Sequence, residues 1–131
     1  MAHETQNVLR VNYDDLEADP EWIWESFYYF NGKPFTGVAY ETFPDGQLWS
    51  EVEYVDGRAE GKCREWYLSG DLKYEGYDGA SKRYTWYFEW FEDGTRKEEK
   101  VLEWHKLIKH NIWNESGELI SSYESPEEPE I

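Results

Sequence analysis

Apolar and polar positions alternate along most of this chain with a period of two, in runs of about seven to twelve residues rich in Tyr, Trp, Phe, Val and Thr. The run Tyr84-Thr85-Trp86-Tyr87-Phe88-Glu89-Trp90-Phe91 is one of these aromatic-rich stretches. Such runs read as β-strands, because β-branched and aromatic side chains pack well on a pleated surface. Proline is confined to positions 20, 34, 44, 126 and 129, which leaves the runs unbroken. No helical period persists over a long window, and Asp14 to Glu17 has room for a single turn only.

Between the runs stand the turn dipeptides Asn31-Gly32, Asp45-Gly46, Asp56-Gly57, Ser69-Gly70, Asp78-Gly79, Asp93-Gly94 and Ser116-Gly117. Each is a hairpin signal. Taken alternately, Gly46, Gly70, Gly94 and Gly117 are spaced by 24, 24 and 23 residues. Their surroundings repeat as well: Phe43, Tyr67 and Phe91 stand three residues before, Trp66, Trp90 and Trp113 four before, and Glu51, Glu75 and Glu99 five after. A fixed period of this size marks a repeat architecture, with each unit burying its apolar side only against its neighbours. The expectation is an all-β fold, an antiparallel meander of about eight strands. It forms one domain over residues 1–123, with a lead-in over 8–29, repeats over 30–123, and a disordered acidic tail over 124–131.

Two-residue turns would fix the register. Phe43 then opposes Leu48, Tyr67 opposes Leu72 and Asn114 opposes Leu119 on one face. On the other, Lys73 meets Trp66 and Lys97 meets Trp90 as cation–π pairs, with Arg64 opposite Glu75 beside them. That second face is the candidate working surface. The same register sets Glu89 opposite Glu98, and like charges across a ladder repel. Either a bulge displaces one of them, which the irregular third repeat favours, or an acidic patch serves a basic partner.

Composition changes the picture in two ways. Phe, Ile, Leu and Val number only 25 of 131 residues, but eight Trp and eleven Tyr supply the missing apolar area, so aromatic rings build the core. Thirteen basic against 29 acidic side chains give a formal charge of -16, which repels phosphate backbones and anionic lipid and excludes nucleic acid and membrane surfaces as partners. The charge is uneven: residues 1–57 carry two basic and twelve acidic groups, net -10, and residues 58–131 carry eleven and seventeen, net -6.

Catalytic chemistry finds little footing. His3, His105 and His110 are the histidines and Cys63 is the lone cysteine, with no C-x-x-C, H-x-x-x-H, nucleophile elbow or P-loop, so no metal, cofactor or enzymatic activity is expected. Alternation places Cys63 on the face shared by Tyr67, as a small core residue. Residues 1–10 lack the apolar core of a secretory signal and no apolar run reaches membrane-spanning length, so a soluble cytoplasmic protein is expected.

The stretches Gly37-Val38-Ala39-Tyr40-Glu41-Thr42-Phe43-Pro44-Asp45-Gly46-Gln47-Leu48-Trp49-Ser50-Glu51 and Gly61-Lys62-Cys63-Arg64-Glu65-Trp66-Tyr67-Leu68-Ser69-Gly70-Asp71-Leu72-Lys73-Tyr74-Glu75 resemble MORN repeats. More narrowly, with the lead-ins 10–16 and 34–37, they resemble the bacterial YwqK-type antitoxins. The resemblance implies a cytoplasmic immunity protein that binds and neutralises a cognate toxin domain. A scaffold that joins proteins without inhibiting an enzyme is the alternative. An acidic protein suits a toxin with a basic surface, such as a nuclease. Asp14, Asp15, Glu17, Asp19 and Glu21 beside Trp22 and Trp24 combine charge with aromatic anchors, as interface hot spots do. The candidate partner-binding set adds Trp49, Glu51, Glu53, Trp86 and Glu89. Repeat position explains Trp66 and Trp90 as packing residues, whereas Trp49 and Trp86 fall outside it and suit either packing or a binding platform. The oligomeric state stays open.

Overall fold

The alternating runs form strands in the computed structural model, which describes residues 8–18 and 27–126. In chain order they are β1 (Arg10–Asn12), β2 (Glu17–Ala18), β3 (Tyr28–Phe30), β4 (Lys33–Pro34), β5 (Gly37–Thr42), β6 (Leu48–Val55), β7 (Arg58–Trp66), β8 (Leu72–Asp78), β9 (Tyr84–Trp90), β10 (Arg96–Glu103), β11 (Lys106–Trp113) and β12 (Leu119–Glu124). A single 3-10 turn, Tyr13–Asp15, follows β1, with the Asn12 side chain accepting from the Asp14 N–H at 2.9 Å. Strands β5 to β12 are the expected antiparallel meander. The described strands number more than eight because the lead-in adds four short ones: β1 joins β5 in parallel at the sheet edge, and β2, β3 and β4 form a separate small sheet. Glu124 belongs to β12 and not to the tail, while residues 127–131 lie outside the described part.

Turn chemistry divides the two ends of the sheet. Asn31-Gly32 and Asp56-Gly57 are two-residue turns as expected, pairing Phe30 with Lys33 and Val55 with Arg58. Asp78-Gly79 instead opens a longer connection that runs to Arg83. The four repeat turns are three-residue loops. The Phe43 N–H donates to the Gln47 carbonyl and the Gly46 N–H to the Phe43 carbonyl, both at 2.8 Å, with Gly46 at φ 94°. Tyr67, Phe91 and Asn114 open the other three in the same way. A loop of this kind ends in a left-handed residue, which only glycine takes without strain.

The extra loop residue moves the pair beside each turn. Leu48 opposes Thr42, Leu72 opposes Trp66, Arg96 opposes Trp90 and Leu119 opposes Trp113, so the expected pairs of Phe43, Tyr67 and Asn114 do not form. One bulged residue per repeat then restores the register: Trp49, Lys73, Lys97 and Ile120 are each skipped by the partner strand. Beyond the bulge the expected ladder holds, including Arg64 opposite Glu75 and Glu89 opposite Glu98. The bulge turns Lys73 onto the Tyr67 ring and Lys97 onto the Phe91 ring, both 5.7 Å from the centroid, in place of the tryptophans.

The core lies at one end of the sheet. Val11, Phe35, Ala39 and Tyr54 are buried, with Phe35 only 1% exposed, and Tyr13, Leu16, Tyr28, Phe30 and Val52 pack around them. Aromatic rings fill most of it: Tyr54 meets Tyr28 edge-on and Phe35 obliquely, both at 5.7 Å. The small sheet is held over the back of β5 and β6 by backbone bonds from the Tyr28 N–H to the Gly57 carbonyl and from the Gly57 N–H to the Phe35 carbonyl, each 2.8 Å. Gly57 is required twice over, by its φ of 92° and because a Cβ there would strike the Phe27 ring.

Candidate partner-binding surface

Residues paired across neighbouring strands share a face, so the register sorts the side chains. One row crosses the front of the sheet in the order Tyr40, Glu51, Arg64, Glu75, Phe88, Glu99, Asn111, Ser122. Each glutamate of the 24-residue period stands in it beside a cation. Arg10 reaches Glu51 at 2.6 Å, Arg64 reaches Glu75 at 2.7 Å, and Glu99 takes Arg96 at 3.0 Å and Lys109 at 3.6 Å. Burial pushes the Glu99 carboxyl toward protonation, but the Asn111 amide at 2.8 Å and the two cations outweigh it and hold its pKa below the ordinary value.

Along β9 the same face carries an aromatic file. Tyr77 stacks on Trp86 at 6.0 Å, Trp86 on Phe88 at 5.1 Å, and Phe88 meets Trp90 at 6.2 Å. All four rings are half-buried, and no described layer covers them. Arg64 and Arg96 flank the file, each oriented by its glutamate, and Arg96 also lies over the Trp113 ring at 5.8 Å. Open rings with arginines held in place are the composition of interface hot spots.

The back face is different. Glu89 and Glu98 stand directly opposite each other, and no bulge separates them. Their repulsion is relieved locally, by Lys97 at 3.4 Å from Glu89 and His110 at 2.6 Å from Glu98. A shallow hollow of about 290 Å³ opens here between Tyr74, Tyr87, Glu89, Glu98 and Lys100. Cys63 lies half-buried on this face against Gly76, and burial raises its thiol pKa, the opposite of what a reactive cysteine needs.

The candidate set is therefore split. Glu51, Glu53 and Trp86 share the front face, Glu89 is on the back, and Trp49 lies at the first repeat bulge against Phe43 at 6.1 Å. Glu53 accepts the Lys62 N–H at 2.8 Å over the β6–β7 bulge, where Gly61 leaves room for its carboxylate. Asp14, Asp15 and Glu17 are solvent-exposed on the lead-in, while Asp19, Glu21, Trp22 and Trp24 lie outside the described residues. Reading by repeat placed Arg64 on this face opposite Glu75 but missed Phe88 and Arg96 as surface anchors, although plain alternation around Trp86 and Trp90 places Phe88 beside them.

The chain is 38% identical over 94 residues to the immunity protein YwqK of Bacillus subtilis (strain 168). It resembles the YwqK immunity proteins. The match takes in 72% of this chain and 61% of that relative, so the chain spans about three-fifths of YwqK's length. No protein-family model matches, and no solved structure does. The tryptophans and glutamates of the 24-residue period stand on the front face, and its glycines make the turns beside it.

Proposed function

We propose that this chain is an immunity protein that binds a cognate toxin domain and blocks it by occupancy, without catalysing a reaction. The likeness to YwqK carries the reading, and the open front face supports it. In this reading Trp86, Phe88 and Trp90 with Arg64 and Arg96 grip the toxin. Asp14, Asp15 and Glu17, exposed carboxylates of the lead-in, attract a basic toxin surface such as that of a nuclease. Glu51, Glu53 and Glu89 are engaged within the chain and serve to orient their partners. The complex forms in the cytoplasm of the cell that makes the toxin.

The test is co-expression with the variable C-terminal domain of a secreted protein encoded beside this gene. Growth is restored by the parent chain, and the double substitution Trp86→Ala, Phe88→Ala weakens binding about 100-fold while leaving the fold intact by circular dichroism. A toxic domain that kills equally with and without the chain defeats the immunity reading. A complex that forms without rescue points to the scaffold role.

A further inference from the structure

We infer that the front face takes an acidic segment of its partner, one that lays apolar side chains on the Trp86–Phe88–Trp90 file and carboxylates on the cations around it. This deepens the proposed function and rests on it in one respect, that the segment belongs to the toxin. In the rows of Trp86, Phe88 and Trp90, within two strands of β9, the register places four cations, Lys62, Arg64, Arg96 and Lys109, and two carboxylates, Glu75 and Glu99. The local charge is net +2, in a chain of -16. Depth widens the contrast. Lys62, Arg96 and Lys109 are exposed, whereas Glu75 is half-buried and Glu99 is buried. The Arg96 side chain is 58% exposed and that of Glu99 11%. A ligand arriving from solvent meets the cations first and finds both glutamates already engaged by Arg64, Arg96 and Lys109.

The cations also keep donors to give. Arg64 donates its Nε–H to Glu75 at 2.7 Å, and Arg96 an Nη N–H to Glu99 at 3.0 Å. A guanidinium has five N–H donors in a fixed fork, so each arginine has donors left for a further carboxylate. With strands about 4.8 Å apart, Arg96 lies one strand from the file, while Lys62 and Arg64 on one side and Lys109 on the other lie about 10 Å from it. That layout suits carboxylates on either flank of an apolar cluster, the rim and centre of a protein interface. A nucleic-acid strand brings a dense row of phosphates and needs a continuous basic track, which Glu75 and Glu99 interrupt. The acidic lead-in joins the sheet beyond β5, four strands from the file. At about 0.1 M salt the Debye length is about 10 Å, so the lead-in is screened from the file while the cations beside it act at contact.

The test follows the tryptophan indole N–H resonances of the whole isotope-labelled chain at about 0.1 M salt. Two blocked peptides serve as probes, both with a Phe-Leu-Phe centre, one flanked by glutamates and the other by lysines. The glutamate peptide should shift the Trp86 and Trp90 indoles, and the lysine peptide should shift the amides of Asp14 and Asp15 instead. Arg64→Gln with Arg96→Gln should weaken the glutamate peptide about tenfold, and Lys62→Gln with Lys109→Gln, which alters exposed side chains only, about threefold. A lysine peptide that takes the front indoles overturns the inference, and so do neutralised variants that bind the glutamate peptide as well as the parent does. Tighter binding of oligothymidylate at the same indoles overturns it too, as do indole shifts on concentrating the chain alone, since a nucleic acid or a second copy then fills the face. In the toxin complex, Arg64→Gln with Arg96→Gln should raise the dissociation rate about tenfold and leave association nearly unchanged. A toxin that the parent chain fails to neutralise strikes the immunity reading alone, because the two peptides judge the face without it.

Discussion

Trp104 and His105 form the two-residue turn between β10 and β11 with φ of 46° and 71°, a left-handed conformation that side chains other than glycine resist. They stand 48 residues, two repeat periods, after Asp56 and Gly57, which make the equivalent turn with a glycine. This turn was illegible in the sequence, since the signal for a hairpin is glycine and here there is none. Strain of about 1 kcal/mol per residue is to be expected. Replacing the pair by Asn-Gly should therefore raise stability by about 1–2 kcal/mol, read as a higher urea midpoint with unchanged slope. Titration of Tyr54 is a second residue-level test. Burial, with Tyr28 and Glu41 nearby, pushes its pKa from 10.0 up to about 12. A folded-state value above the unfolded one means that its contribution is complete below pH 10 and is lost as pH rises toward 12. Tyr54→Phe should flatten that alkaline loss in denaturant titrations at successive pH values.

Among the elements, strand bodies were legible and strand ends were not. Alternation gave the faces and the glycine spacing gave the hairpins, so Arg64 could be set against Glu75 before any coordinates. The three-residue loop and the bulge that offsets it are invisible to alternation, because together they insert one residue on each side and leave the distant register unchanged. Lys73 and Lys97 were assigned to the wrong rings for that reason. The Glu89–Glu98 pair corrects a different expectation: the bulge favoured to displace one of the two lies at Lys97 and leaves them opposed, and what sequence reading missed was the neighbour on β11, since His110 arrives from twelve residues away. Removing both relieving groups, Lys97→Ala with His110→Ala, should destabilise the chain by about 1 kcal/mol, and adding Glu98→Gln should recover most of that loss. Urea denaturation of the three proteins checks it.

For the molecule as a whole, the aromatic and acidic composition anticipated the ring-built core and the charged exterior. It did not anticipate how many carboxylates are engaged internally, because cross-strand partners such as Arg10 and Glu51 are remote in sequence. Exposed carboxylates remain on the lead-in and at the turns, among them Asp45, Asp71 and Asp93, and replacing Asp14, Asp15 and Glu17 by lysine should slow toxin association about tenfold at low salt and leave it nearly unchanged at high salt, as stopped-flow mixing would show. The placement of the core at the β5–β6 end has a further effect. A sheet clamped on one side and bare on the other resembles a page bound along one margin. Its backbone amides should exchange with deuterium in a graded order, last beside Ala39 and Tyr54 and first along β12. A steady pull on the C-terminus would then peel the strands away singly, from the free margin toward the binding.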